Sequence, residues 1–476
     1  MLKRLTAILL VIMLTVSCVA VGEAASYKKL KKGSRGAAVK TLQTELKNQG
    51  YYSGKIDGIY GKGTVNAVKA FQKNNSLKAD GIAGPLTQAK LYENKTKAEP
   101  AARENTVPET KAETEQAAAD DTAAPGSALS FLQGIRNSSG AVNGTLVLSK
   151  DGKVFLSWSF GGVDENTCFR IASVTKWVTA IGLMTLYDQG KLDLDKDISS
   201  YLGFKVRNPA YPNTPVTARM LLSHTSSLSP DASNYHPDWA RIGKKGYDPV
   251  FNESVEPGTQ YAYADYNGAL FGCLIEAISG QSVQNYMSRT VFKPLGLTAG
   301  YSPNFLPAGT KCADLLKKNG KVEISVQKDR NRTYNNKADP KGNNGYTVGK
   351  MYINASSLTK LALMMNNGGE LNGVRILDST TVKLMESDQK LLAESPYGLS
   401  TVRLNQFDRG TWYGHQGRYS GLSSNIYYQR ETGITMALIM NGYDYQLQDN
   451  IVMPAVTILR NMQKLEEICL GNTSVN

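Results

Sequence analysis

The sequence predicts a multidomain protein: a small three-helix domain, then a larger α+β domain with an antiparallel sheet flanked by helices and an all-helical lobe. Three observations predict this. At 476 residues the chain is long for one domain. Residues 93–126 contain no aromatic residue and only Val107 as a large aliphatic residue, so this segment cannot fold and is interpreted as a disordered linker. Beyond the linker, strand patterns lie near both ends of the larger unit and helical patterns lie between them.

The chain begins with the layout of a secretory signal. Lys3 and Arg4 precede eighteen uncharged and mostly apolar residues, and small residues follow around Ala24. We therefore expect residues 1–25 to be a signal peptide and the mature protein to be secreted. Two alternatives stay open. The apolar segment is long enough to remain as a membrane anchor, and Cys18 follows a Leu-Thr-Val-Ser run that resembles a lipoprotein processing site.

Residues 27–92 predict the small helical domain. Val39, Leu42 and Leu46 form one helical stripe, a second lies within residues 65–71, and two Asp-Gly turns separate the helices. This segment holds 13 Lys or Arg against 3 Asp or Glu, a net charge of +10, in a chain whose total is +13. Outside the cytoplasm, such a charge favours an anionic surface polymer over nucleic acid as the partner.

Four pieces of this domain follow a recognisable pattern and cover nearly all of residues 30–92: GSRGAAVKTLQ, GYYSGKIDGIYG, TVNAVKAFQ and DGIAGPLT. They resemble the peptidoglycan-binding domain found on bacterial wall hydrolases. The resemblance implies that residues 27–92 bind peptidoglycan, with anionic wall polymers as further partners, and that the protein is in the cell wall or another extracytoplasmic site.

In the larger unit, the stretch FRIASVTKWVTA places two polar residues at the start of a helical pattern. After Ser173 the apolar residues recur every three or four positions until Gly190, which predicts a helix of about four turns. Ser173 and Lys176 are three residues apart and share one helix face. A serine becomes a good nucleophile when a base takes its proton, and burial can turn a lysine into that base. The alternative is structural: a helix-capping serine and a lysine that reaches out to water.

Strand patterns bracket this helical region. VNGTLVLSKDGKVFLSWSF alternates on both sides of Asp151-Gly152 and predicts a β-hairpin. SSNIYYQRETGITMALIMN predicts a second strand pair, followed by a helix through Ile451–Leu465. Most of the middle, from Ser173 to about Met385, is predicted to be helix or loop, and a cleft between the two parts is a natural site.

Two further motifs accompany Ser173 and Lys176. One is Tyr263-Ala264-Asp265 before an apolar helix, and the other is His415-Gln416-Gly417 in YGHQGRYSGLSSNIYY. Together the three resemble the motifs of the serine penicillin-recognising family, which includes class C-type β-lactamases, DD-peptidases, D-aminopeptidases and related esterases. Matching stretches continue in consistent order over about residues 140–445: VTARMLLSHTSSL, GKMYINASSLTKLALMMNNGGELNGVRIL and SPYGL. The resemblance implies that residues 127–476 form a β-lactamase-related serine hydrolase domain.

The resemblance also implies roles for individual residues. Ser173 attacks the substrate carbonyl and becomes acylated, while Lys176 and Tyr263 share the proton transfers. His415 helps to hold a substrate carboxylate or relays protons. The backbone N–H groups of Ser173 and Arg418 form the oxyanion hole.

The motifs also contain substrate-binding candidates and two departures from the family pattern. Gly417 and Asp265 belong with Arg418 to the oxyanion and substrate-binding set. Asp265 stands where the family usually has Asn, and a carboxylate only accepts hydrogen bonds unless it is protonated. It is expected to pair with Lys176, raise the lysine pKa and shift the substrate preference. Ser227 replaces the usual Gly of the motif around His224, and that histidine is interpreted as structural.

The leading function is a secreted, wall-associated serine hydrolase that forms an acyl-enzyme, as a DD-carboxypeptidase or endopeptidase on peptidoglycan stem peptides. The alternatives are a β-lactamase or esterase on the same scaffold, or a non-catalytic wall-binding or β-lactam-sensing protein. The sequence predicts no cofactor, because three histidines without an H-E-x-x-H motif argue against a zinc site. The four cysteines after the signal are widely spaced, so we expect buried free thiols and no disulfide framework. They are Cys168, Cys273, Cys312 and Cys469.

Overall fold

The structure is a computed structural model that describes residues 29–48, 51–52, 54–75, 77–93, 126–230, 250–340, 345–389 and 397–471. The predicted signal peptide and nearly all of the predicted linker lie outside these ranges. The chain divides into two compact units, residues 1–110 and residues 111–476, which are described separately. Within the described residues, no helix is both long and apolar enough to cross a bilayer.

The first unit contains the three predicted helices: α1 (Ala37–Asn48), α2 (Lys62–Asn74) and α3 (Pro85–Glu93). The stripe predicted on α1 is fully buried, and so are Val68 and Phe71 on α2. Val65 is only partly buried, at the edge of this core. Burial of one apolar face per helix is what holds so small a domain together.

The loops of this unit are built twice on the same plan. Each of two helix glutamines uses its side-chain amide to hold a following Asp-Gly-Ile turn, donating to the aspartate carboxylate, the isoleucine carbonyl and a threonine hydroxyl, and accepting from the glycine N–H. The two sets are Gln43 with Asp57, Gly58, Ile59 and Thr64, and Gln72 with Asp80, Gly81, Ile82 and Thr87. Both glycines have φ near +75°, a conformation that favours glycine.

The second unit contains twelve α-helices within the described residues. They are α4 (Gly126–Ser139), α5 (Val174–Asp188), α6 (Ser199–Leu202), α7 (Ala218–Leu222), α8 (Asp265–Ser279), α9 (Val283–Met287), α10 (Val326–Arg330), α11 (Tyr346–Gly349), α12 (Ala355–Asn366), α13 (Ser379–Glu386), α14 (Met453–Arg460) and α15 (Met462–Leu470).

The strands form one large sheet and several small ladders. They are β1 (Asn143–Lys150), β2 (Lys153–Phe160), β3 (Phe169–Arg170), β4 (Ala299–Gly300), β5 (Leu315–Leu316), β6 (Val322–Ile324), β7 (Tyr352–Ile353), β8 (Glu370–Leu371), β9 (Val374–Arg375), β10 (Val402–Leu404), β11 (Trp412–Tyr419), β12 (Leu422–Gln429), β13 (Ile434–Asn441), β14 (Leu447–Gln448) and β15 (Ile451–Val452). The large sheet has the order β10-β11-β12-β13-β1-β2 and is antiparallel throughout.

This sheet confirms the predicted α+β class. The β1–β2 hairpin turns at Asp151-Gly152, where both residues have positive φ, and β12 and β13 are the predicted second strand pair. One face of the sheet packs on α5 and α12, with α8 behind α5, whereas the other packs on α4, α14 and α15. Helices cover both faces, so the strands of the centre are buried along their whole length.

Helix α5 lies in the middle of the first of these layers. Every residue from Val174 to Leu186 is buried, and the helix ends before Gly190, whose φ is +67°. A helix that is buried all round is the rigid element on which the candidate site is built.

The prediction of a single helix through Ile451–Leu465 is wrong. Ile451 and Val452 belong to β15, which pairs with β14. Pro454 lies in the first turn of α14, a position that suits its fixed φ. The chain then breaks at Asn461 and continues as α15.

Candidate active site

Ser173 lies immediately before α5, at the N-cap position. Its side chain makes no capping hydrogen bond, so the purely structural interpretation of this serine does not hold. The preceding residue, Ala172, has φ +45°, a left-handed conformation that costs energy for any residue with a side chain. This strained turn presents the Ser173 hydroxyl at the N-terminus of a buried helix, where the dipole and the first N–H groups favour negative charge.

Lys176 lies one turn further along and is fully buried, so it does not reach out to water. Its Nζ atom contacts three oxygens: Ser173 Oγ at 3.0 Å, the Val348 carbonyl at 2.8 Å and Asp265 Oδ1 at 2.5 Å. An ammonium group has three N–H donors and no acceptor. Two hydrogen bonds and one ion pair to a carboxylate therefore match a protonated lysine.

The electrostatics of Lys176 follow from these neighbours. Burial acts to lower the pKa of the lysine, but electrostatic interactions with Tyr263 and with the Asp265 carboxylate outweigh it and raise the pKa above its ordinary value. Asp265 and Lys176 thus form the pair that the sequence led us to expect. Burial alone does not make this lysine a free base, which differs from the simplest argument made from its position on the helix.

Two glycines make room for this arrangement. A Cβ atom on Gly268, in α8, would lie 2.7 Å from Lys176 Cγ, so only glycine leaves space for the lysine side chain. A Cβ atom on Gly417, in β11, would lie 2.4 Å from the Ile171 carbonyl oxygen and 2.9 Å from the Ser173 nitrogen. Strand β11 therefore passes directly beside the backbone of the nucleophile. Gly268 was not predicted as a site residue, although the sequence places it three residues after Asp265.

The carbonyl of Val348 was also missed, because no side-chain pattern marks a backbone acceptor. It lies in α11, which packs against α8. Thr347 Oγ1 donates to the Gly268 carbonyl at 2.7 Å and fixes this segment. The third ligand of the lysine is therefore set by the packing of two helices that are distant in sequence.

Tyr263 precedes α8, and its hydroxyl is buried without a hydrogen-bond partner among the described residues. Its ring stacks on His224 at 4.2 Å, and its centroid is 5.5 Å from Lys176 Nζ. His224 Nδ1 accepts from the Ala264 N–H at 3.2 Å and from Asn267 Nδ2 at 2.9 Å, so its proton is on Nε2. Burial lowers the pKa of His224, with a further contribution from Lys176. A neutral His224 that supports Tyr263 agrees with its structural interpretation.

The unusual Ser227 has a backbone explanation. Its φ is +58°, in the left-handed region where glycine is favoured. The side chain gains one hydrogen bond there, since Asn208 Nδ2 donates to Ser227 Oγ at 3.0 Å. This bond accounts for a serine at a position where the backbone prefers glycine.

His415 lies in β11 and is buried. Its Nδ1 faces the Gln416 carbonyl at 2.6 Å, and because a carbonyl only accepts, Nδ1 carries the proton. Nε2 has no partner among the described residues. Burial and the nearby Lys176 charge lower the pKa of His415 to about 3. The histidine is therefore neutral, and its Nε2 lone pair can accept a hydrogen bond, whereas holding a carboxylate would require a second proton on the ring.

Comparison with known proteins places this site in a family. The Beta-lactamase family model matches residues 113–451, well over half of the chain, and a peptidoglycan binding domain model matches residues 35–91. The chain belongs to the β-lactamase family. The expected two-domain architecture is confirmed, and so is the expected class, a serine hydrolase of the β-lactamase and DD-peptidase type.

Individual relatives of this β-lactamase-family protein are distant. It is 27% identical over 171 residues to Penicillin-binding protein 4* of Bacillus subtilis (strain 168), which covers 33% of this chain and 37% of that protein. It is 26% identical over 296 residues to Penicillin-binding protein 4 of Amycolatopsis lactamdurans, covering 59% and 74%. The matches to the first curated relatives thus span about a third of their length. The octameric penicillin-binding protein homologue from Pyrococcus abyssi shares the fold, with a TM-score of 0.54 and 21% identity over 71% of this chain and 76% of that one.

The structure of this family member brings six of the seven predicted site residues into one cluster, which consists of Lys176 and five others. Arg418, the seventh, directs its side chain elsewhere, since Nη2 donates to Asn450 Oδ1 at 3.2 Å. Only its backbone was expected to act. In the described part of the chain, β10 pairs with β11 only as far as Gly414, so the backbone edge of β11 beyond that residue has no strand partner. The roles assigned to these residues stay predictions.

Proposed function

We propose that this protein is a secreted, cell-wall-associated serine hydrolase that works through an acyl-enzyme, as a DD-carboxypeptidase or endopeptidase on peptidoglycan stem peptides. The observation that carries the proposal is the 3.0 Å contact between Lys176 Nζ and Ser173 Oγ inside a buried polar cluster. A serine hydroxyl beside a positioned proton-transfer group, at a helix N-terminus, is the arrangement that acyl transfer requires.

The proposed chemistry proceeds in two steps. Ser173 Oγ attacks the substrate carbonyl carbon while its proton passes to the coupled group formed by Lys176, Tyr263 and Asp265. The N–H groups of Ser173 and Arg418 stabilise the oxyanion. The C–N bond then breaks, the leaving amine takes the proton, and the acyl group stays on Ser173. A water molecule releases the acid by the same path in reverse, with the His415 lone pair available to accept a hydrogen bond from that water.

The N-terminal unit supports a wall-bound substrate. Residues 27–92 are proposed to bind peptidoglycan, and residues 1–25 to direct secretion. A binding domain joined to a catalytic domain in one chain turns substrate encounter into an intramolecular event and raises the effective concentration. Relatives that are named penicillin-binding proteins agree with a substrate of this kind.

Incubation of the protein with defined muropeptides, read by mass spectrometry, tests the proposal. Loss of one terminal D-alanine identifies a DD-carboxypeptidase, and cleavage of a cross-linked dimer identifies an endopeptidase. The Ser173→Ala variant is the matched control and should leave both substrates intact. Unchanged muropeptides together with rapid turnover of a penicillin would contradict the proposal and identify a β-lactamase instead.

A further inference from the structure

Cys168 and Cys312 lie side by side, although they are far apart in sequence. The Cys168 N–H donates to the Lys311 carbonyl at 2.9 Å, and the Ala313 N–H donates to the Cys168 carbonyl at 2.9 Å. These two bonds flank Cys312, which lies between Lys311 and Ala313. Cys168 and Cys312 therefore form a parallel β-bridge. Five residues after Cys168 comes Ser173, so this pairing anchors the strand that leads into the candidate active site.

The backbone arrangement suits a covalent link. Adjacent strands are about 4.8 Å apart, which falls within the Cα separation of about 4.4–6.8 Å found in disulfides. Partners in a ladder project their side chains to the same side of it. Cys168 and Cys312 accordingly contact one apolar cluster, together with Leu306 and Tyr352. The two thiols lie in one shared environment.

The two thiols differ in ways that suit consecutive reactions. Both are free in the structure, but Cys168 is buried and Cys312 is half-buried. The neighbouring thiol of Cys168 and the positive charge of Arg330 lower the pKa of Cys312, while the same contact raises the pKa of Cys168. Reactive thiols are accessible and have a lowered pKa, and a resolving cysteine often lies beside them.

We propose that Cys168 and Cys312 form a reversible disulfide. In the presence of a low-molecular-weight disulfide, the Cys312 thiolate attacks one of its sulfurs and displaces a thiolate, which gives a mixed disulfide. The Cys168 thiol loses its proton and attacks Cys312 Sγ, displacing the second thiolate. Two protein thiols are oxidised to one disulfide, and one small disulfide is reduced to two small thiols.

The disulfide would close a loop of the chain that contains most of the candidate site residues. The loop between the two cysteines contains Ser173, Lys176, Tyr263 and Asp265, but not His415. A cross-link that closes so long a loop removes much conformational freedom from the unfolded chain. The expected effect is a more stable helical lobe, with the start of α5 fixed to the segment around residue 312.

The test uses the full-length protein incubated with oxidised glutathione, trapped with an alkylating reagent and digested without reduction. We expect a peptide pair joined through Cys168 and Cys312, with Cys273 and Cys469 alkylated or buried. Dithiothreitol should then lower the Tm by roughly 3–8 °C. The Cys312→Ser variant should show no such change, while the control Cys469→Ser should behave as the unchanged protein.

Two results would overturn the inference. One is a stable glutathione adduct on Cys312 with Cys168 left as a thiol. The other is a disulfide that joins Cys312 to Cys469. The peptide map is made on the unaltered chain. It therefore distinguishes these results from the expected disulfide even where a serine variant fails to fold.

Discussion

Replacing Asp265 by Asn tests how the candidate site controls the charge of Lys176. The change removes one negative charge, keeps the shape of the side chain and leaves an amide oxygen that can still accept from the ammonium group. The Asp265 carboxylate lies 2.5 Å from Lys176 Nζ. Its removal should make loss of a proton from the coupled Lys176–Tyr263–Asp265 group easier, whichever of its members is the formal base.

The magnitude follows from the distance and the exposure. Two unit charges at 2.5 Å attract by about 1.7 kcal/mol in the dielectric of water and by about 6.6 kcal/mol at an effective dielectric of 20. The Asp265 side chain is 41% exposed, so solvent screens the pair and the lower part of this range applies. An interaction of about 2–3 kcal/mol corresponds to a change of roughly 30–150-fold in the proton equilibrium of the coupled group. The amide dipole that remains in the variant reduces this effect.

The assay is a pH–rate profile of acylation with one chromogenic β-lactam or ester. The sign is fixed by the direction of the pKa change. Because Asp265 raises the pKa of Lys176, the unchanged protein needs a higher pH to lose the proton, and its rate rises at higher pH. In the Asp265→Asn variant the rising limb should move to lower pH.

A matched control separates this effect from a general change of charge. Asp444→Asn removes a carboxylate from an exposed pair with Lys318, at 2.8 Å, outside the candidate site. Its profile should superimpose on that of the unchanged protein. If the two limbs of the Asp265→Asn comparison also superimpose, Asp265 is not electrostatically coupled to proton transfer and the reasoning is refuted.

Three further predictions concern the nucleophile, the lysine and the wall. Ser173→Ala should abolish labelling by fluorophosphonate and penicillin probes without changing the circular dichroism spectrum, and an adduct on another serine would contradict the assignment. Gly268→Ala should slow acylation about 10–100-fold, because its Cβ would lie 2.7 Å from Lys176 Cγ, a displacement of the kind that misplaces reacting groups. Gly134→Ala, with nothing within 4 Å, is its control and should be silent. The full-length chain should sediment with purified walls, less so at high salt, whereas equal recovery in the supernatant with and without walls would contradict wall binding.

The sequence predicted those parts of the fold whose signals are local. The β1–β2 hairpin follows from alternation on both sides of Asp151-Gly152, and α5 follows from its period and from Gly190. The single helix predicted at residues 451–465 was wrong because the structure there depends on a non-local contact. β15 contains only two residues, and it exists because β14 lies opposite, so no periodic signal announces it. The ladder of β3, β7 and β4 joins three distant segments and is equally invisible in the sequence.

The same distinction applies to the candidate site. The spacing of Ser173 and Lys176 on one helix face predicted their contact, because three residues on a helix bring side chains together. The Val348 carbonyl could not be predicted, since any residue type supplies that atom. The charge state of Lys176 depends on the Val348 carbonyl as well as on the side chains around it. The pattern of residue types could therefore identify Ser173 and Lys176 as a pair, but it could not decide whether the lysine is protonated.

The three contacts of Lys176 constrain how the site can work. A lysine that donates two hydrogen bonds and pairs with a carboxylate carries a proton and cannot accept another. To act as a base, Lys176 must first lose a proton, and the charge of Asp265 opposes that loss. The Val348 carbonyl belongs to the packed α11 segment, and Ser173 is the reacting group itself. Of the three partners only Asp265 carries a charge, and its side chain is 41% exposed. The residue that departs from the family pattern is thus the one placed to decide when the lysine becomes available.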